Sequence, residues 1–145
     1  KQVVLDYLSQ TKNYEHSSLS PHERLLSTYQ GTVTNKTVGT VFLFISPRQK
    51  SYDLTLAEAI PPGKSITLRI IEGTHFLTLL DANGENMYLE PSSASKTLTG
   101  PFRVSSDLDL NLKGKTYKAK YIYHLEIAPR DNWAFLITEK IASNN

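Results

Sequence analysis

Cysteine is absent from all 145 residues, which removes thiolate metal sites and thiol nucleophiles from consideration. That absence does not choose a compartment, because reduced and exported chains both tolerate it. No apolar run approaches the roughly 20 residues that a membrane-spanning helix needs. An excess of one charge is missing too. Sixteen Lys and Arg against fourteen Asp and Glu leave a formal net charge of +2, too little to draw the chain to nucleic acid or an anionic membrane. There is no internal repeat and no low-complexity tract. What remains, 39% hydrophobic and 21% charged residues, is ordinary for a folded domain, and the length suffices to bury a core without covalent staples.

The residues divide by periodicity. Val3, Val4, Tyr7 and Leu8 recur at helical spacing and predict a short first helix. Residues 11–19 are polar and read as a linker. Ser20-Pro21-His22-Glu23 has the chemistry of a helix start: a hydroxyl for orphan amides, a proline at the first helical position, and a glutamate three residues on. Leu25, Leu26 and Tyr29 would form that helix's apolar stripe and Gly31 its end.

From Thr32 onward the period becomes two. Val41, Leu43 and Ile45 point one way and Phe42 and Phe44 the other, so this strand needs cover on both faces. One face is expected to pack on a second sheet and the other beneath the N-terminal helices. Residues 75–81 share the two-faced character, while 66–71 alternate with one wetter face. Residues 46–63 read as an irregular insertion with a helical turn near 53–59, and 91–100 as a serine-rich loop. In the long strand 116–127, Tyr117, Ala119, Tyr121, Tyr123, Leu125 and Ile127 share a face opposite Lys118, Lys120, His124 and Glu126. The expectation is a mainly β protein, an antiparallel β-sandwich of about seven to nine strands with one or two short N-terminal helices packed on it. It forms a single domain over 1–145, a helical arm over 1–31 followed by the sandwich over 32–141.

The centre of the chain carries a pattern. Asn35-x-Thr37 precedes an apolar strand and Ile45-Ser46-Pro47; after a variable loop come Ile60-Pro61-Pro62-Gly63-Lys64-Ser65 and then Asp81-x-Asn83-Gly84. Over 34–89 this resembles small exported bacterial β-sandwich modules. Those modules usually carry Trp-Gly in the variable loop, where Ser51-Tyr52-Asp53 stands here. The resemblance implies a binding or assembly module of the cell envelope, and it brings no catalytic residues with it. The chain opens on Lys1 rather than methionine, which suggests a removed leader or a trimmed terminus and agrees with export.

Each catalytic or ligand pattern fails at a named position. Gly63-Lys64-Ser65 ends like a phosphate loop, but Glu58 stands where a glycine is required and two prolines remove amide donors. His22-Glu23 begins like a zinc-protease helix, yet Leu26 takes the second histidine's place. Asp81, Asn83 and Glu85 alternate like a calcium loop with Gly84 too early and Ser92 where the closing acid belongs; an Asx-stabilised turn is the simpler account. Ser93-Ala94-Ser95-Lys96 has the Ser-x-x-Lys spacing of acyl-serine enzymes without helical periodicity or partner motifs. His16, His22, His75 and His124 stand at no diagnostic spacing. Lys113, Lys115, Lys118 and Lys120 concentrate charge, but Lys118 and Lys120 lie opposite the tyrosines, and Asp107 and Asp109 offer cross-strand ion pairs. Asn35-Lys36-Thr37 would be a glycosylation sequon only in a eukaryotic secreted chain.

The sequence thus predicts a non-enzymatic, periplasmic or otherwise exported protein. No catalytic residue, no cofactor and no metal ion is expected, and the partner is an envelope- or membrane-associated protein rather than nucleic acid. Long loops (46–60, 91–100) or an edge strand would make the contact, with Arg48 and Tyr52 as its anchors. The competing expectation is a small-ligand or glycan-binding β-domain, with Tyr117, Tyr121 and Tyr123 lining a groove, or a hydrolase of unrecognised type. The sequence carries no signal for an oligomeric state.

Overall fold

A computed structural model describes residues 13–15, 28–46, 54–92, 97–128 and 133–140. These residues form ten strands: β1 (Asn13–Glu15), β2 (Thr28–Asn35), β3 (Val41–Ile45), β4 (Thr55–Ile60), β5 (Ser65–Ile71), β6 (Gly73–Asp81), β7 (Tyr88–Pro91), β8 (Leu98–Leu112), β9 (Lys115–Ile127) and β10 (Trp133–Thr138). They make two five-stranded sheets, sheet A in the order β1-β5-β2-β10-β7 and sheet B in the order β4-β3-β6-β9-β8. The protein is mainly β and sandwich-like, as the alternation predicts.

The core between the sheets is built from every second residue. Val33, Ile66, Leu68, Ile70, Phe135 and Ile137 come from sheet A, and Val41, Leu43, Ile45, Leu77, Leu79 and Leu125 meet them from sheet B. Each such side chain contributes about 1.5–3 kcal/mol by leaving water. Tyr123 sits in this layer with its hydroxyl on β7: it accepts from the Leu89 N–H at 2.9 Å and donates back to the Leu89 carbonyl at 3.4 Å. Burial pushes its phenol up to about 12, with the Leu89 backbone bond opposing that shift.

Three expectations need correction. Thr28, Tyr29, Gln30 and Gly31 are strand, paired antiparallel with β5, rather than the end of a helix. Gly31 does not close a helix; a Cβ there would lie 2.0–2.3 Å from ring atoms of Trp133, so glycine lets the indole rest against β2. The first predicted helix and the rest of the second lie outside the described residues, while Asn13–Glu15, read as linker, form a strand parallel to β5. Second, the sandwich is not purely antiparallel, since β10 enters sheet A parallel to β2. Side-chain alternation sets which face is buried but not which way a strand runs. Third, the insertion at 46–63 contains the edge strand β4. Its sequence, Thr-Leu-Ala-Glu-Ala-Ile, suits a helix locally, but pairing with β3 overrides that preference. Register shifts there, Leu43 facing Glu58 and Phe44 facing Leu56, so Ala57 is left over as a bulge.

The outer face of β3 is covered from within its own sheet. The outer faces of Phe42 and Phe44 pack with Leu80, Leu110, Leu112 and Ala119, and with the partly buried Leu108 and Tyr117. Among the described residues the lid is the far half of the β8–β9 hairpin; the N-terminal helices expected to cover this face lie outside them. β9 pairs with β6 only from Tyr123 to Ile127. Beyond that point the hairpin leaves β6 and lies over the outer side of its own sheet. Two register shifts in β8, between Thr99 and Phe102 and between Arg103 and Leu108, supply the extra residues such a bend requires.

Candidate binding surface

The motifs that suggested chemistry are occupied by structural tasks. Asp81 Oδ1 accepts from the amides of Asn83 and Glu85, both at 2.9 Å, and Gly84 has a positive φ of 84°. That carboxylate oxygen holds a turn. Pro61 accepts from the Lys64 amide at 3.1 Å across a Gly63 with φ 78°, and the Gly63 amide goes to the Asn35 carbonyl at 2.8 Å, so no cradle of free amides is left for a phosphate. Asn35 itself is 0% exposed. Its Nδ2 donates to the carbonyls of Gly39 and Ile60, and its Oδ1 accepts from both the amide and the hydroxyl of Thr37. A side-chain amide with every site used inside the fold cannot carry a glycan. His75 is likewise buried, with Nε2 2.9 Å from the Ile71 carbonyl. His16, His22 and the 93–96 tetrad lie outside the described residues. Among the described residues, no three or more His, Cys, Asp or Glu side chains are grouped to hold a metal ion.

The lysine-rich hairpin behaves as electrostatics anticipates. Lys118 pairs with Asp109 directly across the ladder, and the hydrogen bond and charge of that aspartate hold the ammonium above its ordinary value. Arg103 reaches Asp107 at 3.0 Å. The three tyrosines proposed for a groove do not converge. Tyr123 is in the core, Tyr117 lies against Gly84, and Tyr121 sits 6.3 Å from the Tyr88 ring with the Arg103 guanidinium 5.7 Å above its centroid.

A different group does converge. On the outer side of sheet B, where the hairpin lid stops, β6, β9 and β8 bring Phe76, His124 and Phe102 into one row. The His124 ring lies 4.7 Å from Phe76, edge-on at 83°, and 4.7 Å from Phe102. Phe102 is 44% exposed, while Phe76 and His124 are half-buried. The ladder explains the row: Phe76 faces His124 across β6–β9, and Phe102 stands next to the Thr99–His124 pair, past the first shift in β8. Thr74 donates to both oxygens of Glu126 at 2.9 and 3.0 Å, closing one end.

Sequence reasoning missed this row. Phe76 and His124 were each assigned to a face, but their cross-strand partners were not, and Phe102 fell in a stretch where the bulges of β8 interrupt any readable alternation. Arg48 and Tyr52, the anchors the sequence suggested, lie outside the described residues. Ser46, the described residue before that segment, is bonded to Phe76 twice: its amide to the Phe76 carbonyl at 2.8 Å, and the Phe76 amide to its hydroxyl at 3.0 Å.

No family model and no curated protein matches the chain. Among solved structures, the crystal structure of the protein elicitor MoHrip2 from Magnaporthe oryzae is similar to it at 10% identity, over 75% of this chain and 98% of that one, with a TM-score of 0.38. A likeness of that size assigns neither a fold family nor a function.

Proposed function

We propose that this chain is a non-enzymatic, exported β-sandwich module that binds another protein, as a component or accessory of a bacterial cell-envelope assembly. The observation that carries the reading is the Phe76–His124–Phe102 row with Phe102 44% exposed. Aromatic side chains already held in place lose little entropy on docking, and they dominate the energetics of protein interfaces. Arg48 and Tyr52 follow in the chain on Ser46, whose amide and hydroxyl bond the Phe76 backbone. The outer edge of β8 runs alongside, where a partner's extended backbone can pair. Support for the envelope setting is the resemblance over 34–89. Support for binding rather than catalysis is that Asp81, Asn35 and His75 are used inside the fold. The glycan reading is disfavoured because Tyr117, Tyr121 and Tyr123 face three different surroundings.

Capture from envelope extracts on immobilised protein tests this. Phe102→Ala is expected to weaken retention of a specific partner about tenfold or more, the scale of an interface hot spot. Arg48→Ala and Tyr52→Ala are expected to weaken it less. Retention unchanged in all three variants removes this surface.

A further inference from the structure

A second concave site lies at the hairpin tip, away from the aromatic row. Phe42, Ala82, Leu112, Lys113, Lys115 and Tyr117 enclose a cleft of about 210 Å³. Its floor is apolar, with Phe42 and Leu112 almost wholly buried. Its rim is cationic, and no acidic side chain lines it.

The walls are built rather than incidental. Lys113 and Gly114 both take positive φ, 55° and 80°, in the two-residue turn that brings the lysines of the hairpin to the mouth. Tyr117 closes one side. Its hydroxyl donates to the Ala82 carbonyl at 3.4 Å, and its ring lies where a Cβ on Gly84 would be, 2.5 Å from Cδ1, so only glycine admits the ring there. Lys115 holds its ammonium 5.1 Å from the centroid of that ring. Of the acids on the hairpin, Asp109 is engaged with Lys118 and Asp107 with Arg103; Asp81, next to Ala82 in the chain, accepts from the amides of Asn83 and Glu85. Neither Lys113 nor Lys115 makes an ion pair among the described residues.

We propose that this cleft binds a small amphipathic carboxylate, an apolar body against Phe42, Leu112 and Tyr117 with its anionic head between Lys113 and Lys115. The volume lies below the roughly 300 Å³ at which drug-sized pockets begin, so the body is one ring or a short chain. Two ammonium groups in a lining that holds no acid select the negative head, and the apolar floor rejects a bare inorganic anion. A ligand of this size reaches a dissociation constant of about 1–10 mM. The site is independent of the protein-binding reading, since none of its residues belongs to the aromatic row.

The test is a titration of the 15N-labelled chain with 3-phenylpropionate, and with the neutral 3-phenylpropan-1-ol as control. The expected result is saturable shifts at Ala82, Gly84, Gly114, Lys115 and Tyr117 with the acid, and binding of the alcohol at least about fivefold weaker. Replacing both lysines (K113M with K115M) should weaken the acid by about fivefold and leave the alcohol unchanged. Should that double variant fold poorly, added salt on the unaltered chain gives the same reading, because it weakens the acid alone. Equal affinity for acid and alcohol, shifts centred on Phe102 and His124, or no saturable shift by about 100 mM would each overturn the assignment.

Discussion

The outer face of sheet B has two halves made from the same kind of sequence. In one, Phe42, Phe44 and Leu80 are buried beneath Leu110, Leu112 and Ala119. In the other, Phe76, His124 and Phe102 form a row that reaches solvent at Phe102. Composition does not separate them, since each half presents large aromatic rings on strand faces. What separates them is where β9 leaves β6. From Tyr123 to Ile127 the strand is paired with β6 and the hairpin does not cover its outer side; from Tyr121 back towards Lys115 the hairpin turns over and becomes a lid. Aromatic residues thus serve stability where the lid reaches and remain available for contact where it does not.

The widest separation is expected from truncating one ring in each half. Phe44→Ala should cost about 3–5 kcal/mol in urea unfolding, as a large buried ring leaves a cavity. Phe102→Ala should stay within about 1 kcal/mol while weakening partner capture. Similar losses for both would mean that the two halves are not energetically distinct. Tyr123, at the branch point between them, comes next. Tyr123→Phe takes the partner from the buried Leu89 amide and should cost about 1–3 kcal/mol. Its phenol has an ordinary value of 10.0 and is pushed up to about 12 in the fold, so the neutral form is the one the native state favours. The resulting stabilisation is fully present below pH 10 and is lost as the pH rises from 10 towards 12. Urea midpoints should therefore fall more steeply through that range for the unaltered chain than for the phenylalanine variant, which has no such proton to lose. The smallest effect belongs to the surface of the lid. Asp109→Asn should leave the melting temperature unchanged within error and return the Lys118 ammonium towards its ordinary value, followed by NMR titration.

Much of this molecule is readable in its residues. Ser65–Ile71 alternates as predicted, buried at Ile66, Leu68 and Ile70. The turn at Asp81 is built from the Asx chemistry its residues announce. Phe42 and Phe44 did need cover on a second face, but its source was legible only in outline. Leu108, Leu110 and Leu112 alternate as a strand, and nothing in that alternation says the strand will fold across its own sheet. Thr55–Ile60 and Thr28–Gly31 show the opposite failure: local preferences for helix gave way to ladder partners supplied by β3 and β5. The aromatic row escaped for a related reason. Phe76, Phe102 and His124 are far apart in the chain, and two bulges hide the register that unites them.

By itself, the order of residues determined the β class, the core-facing side of β3, β5 and β6, and the turns at Pro61-Pro62-Gly63 and Lys113-Gly114. These follow from interactions within a few residues: side-chain alternation, fixed proline φ, and glycine's access to positive φ. Strand order, the parallel entry of β10, the hairpin lid, and hence which aromatics are buried and which stay open, were decided only in three dimensions. Those features depend on which distant strands share hydrogen bonds, and that choice is made by the whole core rather than by any one segment.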